Sequence, residues 1–151
     1  MLVPLLLGSV MIIVNMGVQV FALVLLIRYF QRSVVTETNV PTVAGDVRII
    51  SVVLLVLFAG HIVQFATWAL LFVTLGEFSD FATAFYHSTV NFAALGYGDI
   101  VMSAKWRLLG GLEAANGVLM FGLTAGTLLT AMDRVFSRHN PAGKRKQKNS
   151  R

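Results

Sequence analysis

The sequence predicts an all-α membrane protein with three transmembrane helices and a re-entrant half-helix between the second and third. Three observations carry this class. Of 151 residues, 56% are hydrophobic and 13% charged, too apolar for a soluble domain of this size. Residues 2–27 and 49–76 hold no formal charge and 108–132 holds only Glu113. Each can cross a hydrocarbon core of about 30 Å, which takes roughly 20 helical residues. Between the last two stretches, residues 81–95 stay apolar where a loop in water should be polar. A helix from Phe81 to about Phe92 reaches only about 18 Å, so it can enter the membrane but not cross it.

The first element, 1–30, lacks the basic start of a secretion signal and outruns a signal core of about 7 to 15 residues. It is expected as a helix of the mature protein, on the periphery or against a neighbouring subunit. A connector at 31–48 follows, with Ser33, Thr36, Thr38, Asn39, Pro41, Thr42 and Gly45 and no apolar period. The unit 49–133 then holds the second helix at 49–76, the half-helix at 80–93, an irregular segment at 94–99 and the third helix at 107–133. Ser79 or Asp80 supplies the half-helix with a cap. Residues 134–151 form a basic tail.

Arginine and lysine number none before Leu2, three from Arg28 to Arg48, two from Glu77 to Arg107 and seven from Arg134 onward. This split places the connector and tail in the cytoplasm and the N-terminus outside, in a multi-pass cell-membrane protein. Beside a spanning helix, the tail reads as a contact for anionic membrane lipids and not for nucleic acid. The absence of cysteine excludes a disulfide framework and a thiolate metal centre.

Irregular backbone at membrane depth is tolerated only where protein buries it or where it lines a watery path. Leu95-Gly96-Tyr97-Gly98-Asp99 follows the half-helix directly. Replacing the water shell of a potassium ion takes closely spaced backbone oxygens aimed at one axis. An L-residue chain in one conformation points successive carbonyls in alternating directions. Glycine at alternate positions, as at Gly96 and Gly98, admits the left-handed angles that remove this limit. Tyr97 would then point off the axis and pack on Phe85 or Tyr86. The partly negative C-terminal end of the half-helix favours a cation nearby.

At these residues the chain resembles the potassium channel family, whose filter reads Thr-Val-Gly-Tyr-Gly-Asp after a pore helix. Ala94-Leu95-Gly96-Tyr97-Gly98-Asp99 stands in that place, Phe85-Tyr86 falls where the family carries aromatic residues, and Gly117 to Gly122 falls where its inner helix has a flexible glycine. The resemblance covers 49–132. It implies K+ ions bound by the backbone of Ala94, Leu95, Gly96, Tyr97 and Gly98, chiefly at Leu95, Gly96 and Tyr97. It further implies filter support from Asp99, Tyr86, Phe85, Asn91 and Glu113, a cavity lined by Val118, Phe121 and Ala125, and a gating hinge at Gly117 or Gly122. One re-entrant segment cannot surround an ion, and the family supplies the number four. The expected function is passive, K+-selective conduction by a homotetramer, with no catalytic residue and no organic cofactor.

Departures from the pattern keep two alternatives open, a non-selective cation channel and a non-conducting, pore-like regulatory subunit. Ala93 and Ala94 replace common threonines, Val90 stands where some members place glutamate, Val101-Met102 replaces an aromatic-proline pair, and the first helix is additional. An intramembrane enzyme built on His61, His87 and Glu113 would lack any motif spacing. Asn15 with Gln19 and His61 with Gln64 read as polar groups satisfied between helices. His87 and Asn91 share a face of the half-helix as hydrogen bonders supporting the filter. Glu113 is expected either behind the filter or in an ion pair with Arg107 or Lys105. No helix carries arginine at every third position, and 18 residues after Asp133 are too few for a ligand-binding domain, so the gating stimulus stays open.

Overall fold

The computed structural model describes residues 1–36 and 42–139. Four helices appear in chain order: α1 (Leu2–Thr36), α2 (Val43–Thr74), α3 (Phe81–Phe92) and α4 (Arg107–His139). Among the described residues there is no strand. Within α1, α2 and α4, the segments Leu2–Gln31, Val43–Thr74 and Arg107–Ser137 are long and apolar enough to span a membrane. The chain is a membrane protein.

The helices outrun the apolar stretches that announced them. Residues 31–36 and 43–48, expected in the connector, are helical, because a helix continues into water once its backbone bonds have been propagated. Thr42 caps α2 by accepting a hydrogen bond from Gly45 N at 3.2 Å, and Asp46 in the first turn faces the positive end of the helix dipole. At the other end Gly76, with φ +70°, reverses the chain. Glu77 N then bonds Phe72 O at 3.0 Å and Gly76 N bonds Val73 O at 3.0 Å, a Schellman closure. The Phe78 ring folds back on Phe72 across this turn, with centroids 6.1 Å apart. The remainder of the connector and the tail from 140 lie outside the described residues.

α1 lies along both α2 and α4 of its own chain. It runs parallel to α4. Near its start Gly8 abuts Leu112 so closely that a Cβ would overlap that side chain, midway Gln19 bonds Thr124, and near its end Leu26 shares a cluster with Ala131. Against α2 it runs antiparallel, with Ala22 beside Gly60 and Leu26 packed with Val53 and Leu57. Pro4, Gly8, Asn15, Gln19, Ala22 and Leu26 are buried, a three-and-four spacing that puts one stripe of α1 into the bundle.

A polar seam crosses the middle of this three-helix layer. Gln64 Nε2 donates to Gln19 Oε1 at 2.9 Å, Gln19 Nε2 to Thr124 Oγ1 at 3.2 Å, and Thr67 Oγ1 to Asn15 Oδ1 at 3.1 Å. His61 Nε2 lies 2.9 Å from Thr124 Oγ1. In hydrocarbon an unpaired polar group costs several kcal/mol, so these side chains fix the register of α1. The larger core sits above the seam, where Phe65, Trp68, Phe72, Ala84, Phe92, Trp106, Leu109 and Met120 lock α3 between α2 and α4. Leu2, Ile13, Phe21, Leu55 and Leu129 remain outside, more than half exposed, apolar surface that suits lipid or another subunit.

Candidate ion-conduction site

Asp80 sets α3 in place: its Oδ1 accepts from Thr83 N at 2.8 Å, and these backbone and side-chain bonds hold its carboxyl below the usual carboxylate range. Twelve residues later the helix ends and the segment 93–99 hangs directly from its last turn. Ala94 N bonds Asn91 O at 2.9 Å and Leu95 N bonds Val90 O at 3.0 Å.

The backbone angles beyond this point alternate. Ala94, Gly96 and Gly98 have φ of +54°, +61° and +74°, with ordinary values at the residues between. Left-handed and right-handed angles in alternation turn successive carbonyls toward one side. Among the described residues, none of the carbonyls of 94–98 accepts an intramolecular hydrogen bond, although the segment follows a helix packed into the apolar core. The two glycines adopt this geometry without steric penalty. Ala94 does not, and its left-handed angle has no signal in the sequence because alanine does not advertise it.

The segment is tied from behind and above. Asn91 is the joint: its Nδ2 donates to Glu113 Oε2 at 2.7 Å and to Gly110 O at 2.8 Å, while its carbonyl holds Ala94. Glu113 is fully buried, and this bond to α3 replaces the expected alternative of an ion pair. Lys105 instead lies over the Trp106 ring, 4.7 Å from its centroid, and Arg107 is exposed. Above, Tyr86 Oη donates to Asp99 Oδ2 at 2.7 Å. That bond holds the Asp99 carboxyl below its ordinary range and raises the Tyr86 hydroxyl. The His87 ring, packed on Phe72 and Phe78, places Nδ1 3.3 Å from Ile100 O.

A further tie was not legible in the sequence. Glu77, in the turn after α2, accepts from both the backbone N and the Oγ of Ser103, strapping the segment after Asp99 to the α2–α3 turn. Its only advance signal is an acidic residue in a short outer turn.

Other expected residues fall differently. Tyr97 is 65% exposed and makes no ring contact with Phe85 or Tyr86 among the described residues, so the expected packing within one chain is absent. Phe85 turns into the bundle against Phe65 and Phe81, holding α3 on α2 and leaving Tyr86 alone of the pair on the segment. Val118 and Ala125 are exposed, roughly 100° to 120° around α4 from Thr124. Phe121 packs its ring on His61 and Phe92, centroids 4.8 and 5.9 Å away. Gly117 meets the carbonyl of Phe92, which a Cβ would overlap, whereas Gly122 has open space. Close packing thus accounts for Gly117.

The arrangement is a membrane bundle presenting unpaired carbonyls at the end of a short helix. Residues 51–134 match the family model described as "Ion channel". The chain belongs to that family, as a member of the potassium channels, and an ion channel is not an enzyme. It is similar to the potassium voltage-gated channel protein Shal of Drosophila melanogaster, 30% identical over 71 residues. That alignment covers 46% of this chain and 12% of the relative's length. No solved structure matches.

Proposed function

We propose that four copies of this chain surround one axis and conduct K+ passively and selectively, with α3 re-entering the membrane from outside and 94–98 forming the filter. The observation that carries the reading is the run of unpaired, exposed carbonyls at alternating backbone angles. A K+ ion entering such a ring exchanges water oxygens for carbonyl oxygens of Ala94, Leu95, Gly96, Tyr97 and Gly98. Passage is fast because neighbouring sites of similar energy let one ion displace the next. Oxygens left unpaired inside one chain have a use only if something else coordinates them.

The remaining roles follow from position. Val118 and Ala125, on the face of α4 turned from α1, line the cavity below the filter, with Phe121 at its edge. Gly122, with open space around it, is the better hinge than Gly117. Asn91 and Glu113 fix the filter's inner end, and Tyr86 with Asp99 its outer end. In the tetramer the exposed Tyr97 ring packs on a neighbouring subunit. The count of basic residues supports an outside N-terminus and a cytoplasmic tail.

Ala94 favours a second reading, a non-selective cation pore, since the innermost site has a carbonyl but no hydroxyl. Reversal potentials of the purified protein in planar bilayers, under opposed sodium and potassium gradients, separate the two. A reversal near the potassium potential upholds selectivity. A reversal near zero sinks it and leaves the second reading.

A further inference from the structure

At the cytoplasmic end of the α1–α4 pair, outside the filter and on the opposite side of α4 from Val118 and Ala125, the helices part around a cleft of about 240 Å³. Leu23, Leu26 and Ile27 form one wall, with Phe30 at its lower end. Thr127, Thr130 and Ala131 form the other, with Arg134 at the rim. The threonines do not make it polar. Thr127 Oγ1 is spent on Leu123 O at 2.8 Å and Thr130 Oγ1 on Gly126 O at 2.9 Å, which leaves their methyl groups as the surface available for packing.

Among the described residues, Arg134 is the one charged residue lining the cleft. Its guanidinium lies over the Phe30 ring, 5.3 Å from the centroid. Stacked in that way, a guanidinium keeps its in-plane N–H donors free for a planar or tetrahedral anion. Depth agrees with this chemistry. The uncharged stretch of α1 ends at Ile27, and Asp133 with Arg134 are the first charges after Glu113 in α4, so Phe30 and Arg134 stand at the border of the hydrocarbon while Leu23 and Thr127 lie inside it.

We propose that this cleft binds an anionic phospholipid of the cytoplasmic leaflet, one acyl chain between α1 and α4 and the phosphate on Arg134. A free anion would need only the guanidinium and would gain nothing from the apolar walls. A zwitterionic lipid offers the same phosphate but already pairs it with its own cation, which weakens its hold on the guanidinium. The site depends on α1, which lies outside the matched residues 51–134, so it is shared between this chain's added helix and α4. The proposal rests on the membrane orientation argued above but not on potassium selectivity.

The test is native mass spectrometry of the intact protein released from vesicles of equal parts phosphatidylglycerol and phosphatidylcholine, reading the ratio of retained lipids. The wild type is expected to retain phosphatidylglycerol about fivefold or more over phosphatidylcholine, the factor of one basic residue near anionic lipid. Arg134→Gln should bring the ratio close to one, and Ala131→Phe, which fills the cleft but keeps the guanidinium, should lower retention of both lipids. Arg134→Lys should restore part of the preference. Three results would overturn the proposal. The first is an unchanged ratio in Arg134→Gln together with its loss on neutralising the tail lysines, which would assign the lipid to the tail. The second is displacement of the lipid by millimolar inorganic phosphate. The third is loss of oligomer without loss of lipid in Ala131→Phe, which would make the cleft a contact between subunits.

Discussion

Two regions of the molecule treat polar groups at membrane depth in opposite ways. Along the seam of Asn15, Gln19, Gln64, Thr67 and Thr124, side-chain donors meet acceptors from another helix of the same chain. Between Ala94 and Gly98 the carbonyls have no partner in the described residues, and the ties are displaced to the flanks, at Asn91, Glu113, Tyr86 and Asp99. The seam is paired through these donors, with Gln64 Oε1 left over, and it ties the bundle together. The segment from Ala94 to Gly98 is open and depends on its surroundings to keep it extended.

The comparison breaks most severely at the glycines. Gly96→Ala or Gly98→Ala places a Cβ on a left-handed residue at about 1 to 2 kcal/mol per subunit, repeated around the proposed ring of four. Selective potassium flux into liposomes should disappear while the protein still inserts. Parent-like flux would mean that these angles do not form the ion path.

Next comes Asn91→Ala, which strips the buried Glu113 carboxyl of its donor and should lower stability by about 2 to 3 kcal/mol per subunit. Asn91→Ala/Glu113→Leu removes both partners and should recover part of that loss, read as the midpoint of thermal unfolding in detergent. A double variant as unstable as the sum of its singles would show that the pair does not act as a unit.

Ala94→Gly sharpens the contrast in the other direction. It releases the one non-glycine residue with a left-handed angle and should raise stability, by about 1 kcal/mol at most. On the seam, Gln19→Leu or Thr124→Val should cost about 0.6 kcal/mol each, the usual worth of an interhelical hydrogen bond in a membrane, and leave the reversal potential unchanged. A shifted reversal potential would mean that the two regions are not separate.

The smallest effect concerns pH. The Tyr86 hydrogen bond lowers the Asp99 pKa from 3.8, so the bond's stabilisation is fully present above that ordinary value and is lost as pH falls through the lowered one. Tyr86→Phe should therefore be less stable than the parent at neutral pH and converge on it as pH falls below the ordinary Asp99 value. Equal acid sensitivity of the two proteins, measured by unfolding, would remove Tyr86 as the cause.

Hydrophobic length and turn chemistry are local properties, and the chain states them openly. The three spans, the short helix capped at Asp80 and the glycine pair at 96 and 98 could all be read residue by residue, because each depends on a few neighbours and on the membrane as solvent. The position of α1 could not. Its buried stripe appears only when Gly8 meets Leu112 and Gln19 meets Gln64 and Thr124, pairings across more than forty residues that no local pattern encodes. The same holds for Glu77 on Ser103, for Glu113 choosing Asn91 over Arg107, and for the left-handed angle at Ala94. In each case the partner is selected by which helices pack together, a matter of tertiary geometry, whereas the residue types that make the span, the cap and the turn carry their own conformational preference wherever the chain places them.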